Sequence, residues 1–168
     1  MGNEKSLAGR VSGPAAGVRN FKDEISGTFA DAGWQIVGYA AYAQYPQRYG
    51  KVDRIFMRGV PYVDVFGKDR YSEYGYVLKK DGTELRGRIE AEALPSGDEG
   101  RSAVDGTIRN AKYRYPESRI VLVFDVEDED LLEYARGRAG EPEFAEGGKN
   151  VSVLSPDEFE AWFFENLA

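Results

Sequence analysis

Three glutamates, Glu73, Glu90 and Glu92, are spaced so that a single β-hairpin brings them together on one face. Residues 71–80, the Asp81-Gly82 dipeptide and residues 83–92 read as two strands around a two-residue turn, because Asp-Gly tolerates the positive φ angles a tight hairpin demands. With Lys80 opposite Thr83, each outward step adds one pair, and the count sets Glu73 against Glu90. Side chains alternate faces along a strand, so Glu92, Arg88 and Arg86 share the face of Glu90, while Tyr74, Leu78, Leu85 and Ile89 share the other. Two carboxylates opposed at ~5 Å repel by roughly 3 kcal/mol at an effective dielectric near ~20. A divalent cation turns that repulsion into ligation. Hard Mg²⁺, with Mn²⁺ as a substitute, takes a few carboxylate oxygens and keeps water elsewhere, so Glu73 and Glu90 are the expected metal ligands. The same pattern also permits an exposed salt-bridge ladder in which Arg86 and Arg88 neutralise the glutamates.

The composition narrows the chemistry further. Cysteine and histidine are both absent, which removes disulfides, thiol nucleophiles, His-ligated metal sites and every Ser-His or Cys-His triad. Acid–base or metal chemistry must come from carboxylates, Lys or Tyr. At 168 residues, 42% hydrophobic and 13% aromatic, the chain suits one domain with a substantial core. No apolar run approaches the ~18 residues of a membrane span, and no charged-then-apolar leader is present, so no membrane association and a cytoplasmic address are expected.

Net charge is −7, yet it is unevenly spread. Residues 44–90 carry ten basic and seven acidic side chains and residues 101–123 carry five and two, so each stretch is +3. Residues 124–168 carry three and thirteen, giving −10. The basic middle, which holds the hairpin and the helix after it, is suited to approach a phosphate backbone.

The elements that must position the glutamates follow from periodicity and caps. Residues 1–17 are rich in Gly, Ala, Ser and Pro and are expected to be a flexible arm, with residues 18–168 a single domain. Asn20 caps a helix with Phe21, Ile25, Phe29 and Ala32 on one side, ended by Gly33. A short strand at Trp34–Tyr39 precedes a tyrosine-rich loop that is expected to pack on its own domain. Val52–Met57 and Val60–Phe66 read as two strands separated by Arg58-Gly59, ahead of the hairpin. Ser102 is expected to cap the next helix, with Asp105 completing a capping box and Arg109 and Lys112 away from its buried stripe. Arg119–Phe124 is a continuous apolar run, as in a strand covered on both faces. An acidic helix at 128–138, a Gly-rich loop, the strand Asn150–Leu154 and a helix opened by Ser155-Pro156 complete the chain.

A helix, three antiparallel strands, a helix and a buried strand, with an acid on the second of the three strands and E-x-E on the third, resembles the PD-(D/E)XK nuclease superfamily. The similarity extends to Ile89-Glu-Ala-Glu92, Ser96-Gly97, Tyr115-Pro-Glu117 and Ile120-Val-Leu-Val123, which stand where one restriction-endonuclease-like branch has I-E-C-K, a Gly-Ser loop, a Tyr-Pro-Glu turn and an I-V-L-V strand. The resemblance implies an α/β restriction-endonuclease-like core, αβββαβ with a C-terminal βα, and a Mg²⁺-dependent DNA endonuclease. Glu73, Glu90 and Glu92 would be catalytic, and Arg88, Arg109 and Lys112 would contact phosphates. Glu92 stands where most members carry lysine, a variant some restriction enzymes share. Glu24 and Asp64 are further acids weighed for the site, with solvation and a strand-end turn as their respective alternatives. A nuclease-fold subunit that binds DNA or a protein without cutting is the competing expectation, and a homodimer is compatible with either. A carboxylate pair working on a sugar ranks last, since one rung is too short for it.

Overall fold

The computed structural model describes residues 20–142 and 149–168, so the expected arm at 1–17 lies outside the described residues. Among the described residues six strands form one sheet in chain order: β1 (Gln35–Gly38), β2 (Arg54–Val63), β3 (Asp69–Lys80), β4 (Thr83–Leu94), β5 (Arg119–Val126) and β6 (Asn150–Leu154). β2, β3 and β4 make an antiparallel meander, whereas β1 joins β2, β5 joins β4 and β6 joins β5 in parallel. The described helices are α1 (Phe21–Asp31), α2 (Tyr39–Gln44), α3 (Pro46–Tyr49), α4 (Gly97–Tyr113), α5 (Glu129–Gly140) and α6 (Pro156–Asn166). The architecture is α/β, a mixed sheet flanked by helices.

Alternation along β5 shows how both faces are used. Val121 and Val123 pack with Ile25 and Phe29 of α1 and Phe159 and Phe163 of α6. Ile120, Leu122 and Phe124 pack with Val104, Ile108 and Ala111 of α4 and Leu131, Leu132 and Ala135 of α5. The expected two-sided burial of this strand is therefore observed, and the Asn20 cap also forms, its side chain accepting from Lys22 N. At the other end of the chain, Ser155 and Glu158 make a capping box on α6.

Three local expectations change. The two strands read across Arg58-Gly59 are one strand, because Gly59 adopts φ +71 and lets β2 continue through a kink. The kink shifts the alternation: Ile55, Met57 and Val60 all enter one cluster with Val77, although an unbroken strand would turn Val60 away from the other two. α4 begins at Gly97 with Ser96 as N-cap rather than at Ser102, and Asp98 and Glu99 in its first turn complement the helix dipole. The tyrosine-rich stretch forms α2 and α3, whose Tyr39, Tyr42 and Tyr49 pack on the domain. Among the described residues no helix is long and apolar enough to cross a membrane.

Candidate functional site

The turn is the left-handed two-residue type that Asp-Gly favours, with φ 54 at Asp81 and φ 76 at Gly82. From it the β3–β4 ladder runs in the expected register, Lys80 with Thr83 out to Tyr74 with Ile89. There the pairing stops. One residue further, the backbone N–H of Glu73 donates to the side chain of Glu90, Oε1, at 2.9 Å. The Glu73 N–H is thus bound by a side-chain carboxylate of β4, and the backbone ladder between the two strands does not extend past Tyr74 and Ile89. β4 continues beyond this point on its other edge, where Glu90 pairs with Leu122 and Glu92 with Phe124 of β5.

β3, β4 and α4 enclose a cleft of about 440 Å³ lined by Glu73, Glu90, Glu92, Asp64, Lys22 and Arg70, together with Tyr62, Tyr115 and Thr107. Four carboxylates face two cations. Each acid has its own anchor. Glu73 Oε2 accepts from Lys22 Nζ of α1 at 2.9 Å, Glu90 Oε2 accepts from the Tyr115 hydroxyl at 2.8 Å, and Glu92 Oε1 accepts from Thr107 Oγ1 of α4 at 3.1 Å. Among the described residues no three acidic side chains form a metal-ligating group.

Burial pushes the Glu90 carboxyl up to about 7, and the Glu92 charge adds to the rise, while the Glu73 N–H, the Tyr115 hydroxyl and Arg88 oppose it. Burial also raises Glu92, against Thr107 and Lys22, with the Glu73 charge adding to the rise. Burial and the Glu90 charge hold the Tyr115 phenol far above its ordinary range, so its hydroxyl remains a donor.

The expected phosphate contacts fall elsewhere. Arg88 shares the face of Glu90 but is only 1% exposed. Its Nε and Nη2 grip both oxygens of Glu117 at 2.7 and 3.0 Å, and its Nη1 reaches Ser72 Oγ at 2.7 Å, leaving no face for a phosphate. Lys112 is buried as well, its amine lowered by burial and by Lys149. Arg109 is exposed on α4 and does not line the cleft. Lys112 lies off the apolar stripe of α4 and is buried nonetheless. Arg86 pairs with Glu84 and Tyr42, so the salt-bridge ladder to Glu73 and Glu90 is not formed.

Of the two further acids, Glu24 lines a separate groove between α1 and α6. Asp64 does line the cleft, but it is committed to its turn, accepting from Phe66 N, Lys68 N and Arg70 Nε at 2.8, 3.0 and 3.0 Å. Those backbone bonds, above all from Lys68, keep its carboxyl below the usual range. Lys22, Thr107 and Tyr115 are among the cleft residues that the sequence alone did not point to, as are Tyr62 and Arg70. Lys22 lies in the first turn of the helix that Asn20 caps, and nothing local ties it to β3. The chain matches no family model, no curated protein and no solved structure.

Proposed function

We propose that this protein is a metal-dependent phosphodiester hydrolase acting on DNA, built on a restriction-endonuclease-like core of the PD-(D/E)XK kind. The observation that carries this reading is Glu90, a carboxyl 8% exposed at the base of a cleft with a surplus of acids. Burying an acid beside a second acid works against stability, and such placements concentrate where chemistry is done. The order α1, β2–β3–β4, α4, β5 supports the same reading, with Glu73 on the second strand of the meander and Glu90 and Glu92 on the third.

The donor set fits a hard divalent ion. Carboxylate oxygens with no Cys or His favour Mg²⁺ or Mn²⁺. Glu73 and Glu90 would hold the ion, with Glu92 adjoining. When bound, the ion supplies Lewis-acid polarisation of the phosphate and a more acidic water. The chain's own groups do the rest. Tyr115 and the Glu73 N–H orient the two oxygens of Glu90. Glu92, oriented by Thr107, has a raised pKa suited to accepting a proton from an attacking water. Lys22 and Arg70 bring positive charge to the cleft wall for an incoming phosphate. The surplus of carboxylates in the cleft works against a phosphodiester, a repulsion that a bound cation would offset.

The Lys22–Glu73 pair favours a second reading, in which the ammonium stands permanently in place of the ion and the fold binds DNA or a protein without cutting. A plasmid-nicking assay separates the two. Cutting that requires Mg²⁺ or Mn²⁺, stops with EDTA and is lost in Glu90→Gln supports the hydrolase. Absence of cutting together with absence of Mn²⁺ binding by isothermal titration overturns it in favour of the second reading.

A further inference from the structure

We infer that the β2–β3 hairpin is a base-stacking clamp that directs unpaired, single-stranded DNA into the glutamate cleft, an inference that rests on the hydrolase reading. Phe66 in the hairpin turn is 79% exposed and Tyr71 at the start of β3 is 72% exposed, and both line the cleft that contains Glu73, Glu90 and Glu92. A single exposed aromatic residue is ordinary on a protein surface. Two at the mouth of one polar cleft, on one hairpin, are not accounted for by core packing.

The turn that carries Phe66 is fixed by its hydrogen bonds. Besides the three bonds Asp64 accepts through its carboxylate, its N–H donates to Lys68 O at 2.9 Å and its carbonyl accepts from Gly67 N at 3.0 Å. Val65 N donates to Asn110 Oδ1 at 3.1 Å, which ties the turn to α4. The phenyl ring is therefore held out by a set turn, so little ordering is needed when a ligand covers it.

The chemistry of the surroundings selects the occupant. A flat apolar face suits the rings, Arg70 and Lys22 beside them suit a phosphate, and the acids behind suit a cation that the same phosphate would share. A nucleotide combines these features. In a duplex each base face is covered by its neighbours, so aromatic side chains reach base faces where the strand is unpaired or unstacked. Stacking of this kind is tolerant of sequence, because every base presents a π-face.

The test is fluorescence anisotropy with a labelled oligothymidylate and a blunt duplex hairpin, with Ca²⁺ in place of Mg²⁺ so that binding is read without cutting. The protein should bind the single strand more tightly than the duplex, Phe66→Ala and Tyr71→Ala should each weaken single-strand binding about tenfold, and Phe164→Ala, which removes an exposed aromatic on α6, should not. Both target side chains are exposed, and circular dichroism confirms the fold of each variant. Equal affinity for the two probes, binding unchanged in the double variant, or no binding of either probe overturns the inference. So does sedimentation showing a dimer that Phe66→Ala dissociates, since a second copy would then cover the rings. The hydrolase reading fails independently, by absence of cutting in a protein that still prefers the single strand.

Discussion

Lys22 Nζ stands 2.9 Å from Glu73 Oε2, joining the first turn of α1 to a strand 51 positions later in the chain. The pair is partly exposed and contributes at most about 1 kcal/mol. Its consequence is electrostatic, because the same ammonium also acts on Glu92. Replacing Lys22 by Ala should lower the melting temperature by no more than about 4 °C. It should also tighten Mn²⁺ binding by roughly tenfold in isothermal titration, since the positive charge that competes for the acids is gone. Cutting should slow nonetheless, because a cation facing the phosphate is lost. Unchanged Mn²⁺ affinity would remove Lys22 from the electrostatics of the cleft.

Glu90 links the site to stability through pH. Its carboxyl lies at about 7 in the folded protein against the ordinary 4.5, so the folded state retains a proton that the unfolded chain has already released across that window. Stability from this group is fully present below the lower value and declines as pH rises through the upper one, by about 3 kcal/mol in all. Glu90→Gln should accordingly be more stable than the wild type to urea at about pH 8, with the advantage shrinking at about pH 5. A variant less stable at both pH values would mark Glu90 as an ordinary structural acid.

Tyr115 is the lever on that titration. Its hydroxyl favours the ionised form of Glu90, so Tyr115→Phe should raise the Glu90 pKa further. Protons and metal compete for the same oxygens, and the midpoint of the rise in Mn²⁺ affinity with pH should move to higher pH in the variant. Loss of a hydrogen bond to a charged acceptor should also cost about 1–3 kcal/mol in chemical denaturation. A midpoint that stays in place would mean that the Tyr115 contact does not tune the site.

Arg88 is expected to matter for folding and not for DNA contact. Besides Glu117 and Ser72, its guanidinium lies 4.6 Å from the centroid of the Tyr115 ring, so it braces the residue that orients Glu90. Lysine cannot reproduce the planar fork. Arg88→Met strands the Glu117 carboxylate and should destabilise by about 3 kcal/mol. The slope of DNA affinity against salt should be that of the wild type in folded Arg88→Met, because the lost charge made no phosphate contact. A shallower slope would restore Arg88 to the DNA surface.

How far the site could be read in advance differs by residue. The hairpin was legible because Asp81-Gly82 admits one tight turn and the pairing then follows by counting, and this register holds out to Tyr74 with Ile89. Counting could not reveal that the ladder ends there and that Glu90 accepts from the Glu73 backbone instead of facing its carboxylate across an intact rung. The face of Arg88 was also countable, but its burial was not, since burial depends on Glu117, 29 positions away, arriving over that face.

The amino-acid order determined what depends on neighbours along the chain: the turn at Asp81-Gly82, the caps at Asn20 and Ser155, the alternation on β4, and the two-sided apolar run of β5. Only the tertiary structure decided which partner each acid meets, because Lys22, Thr107 and Tyr115 reach the cleft from α1, from α4 and from just beyond α4. The physical reason is range. Turn and strand preferences act over a few bonds, whereas burial and electrostatic coupling act through space between segments whose separation in sequence carries no information about their contact.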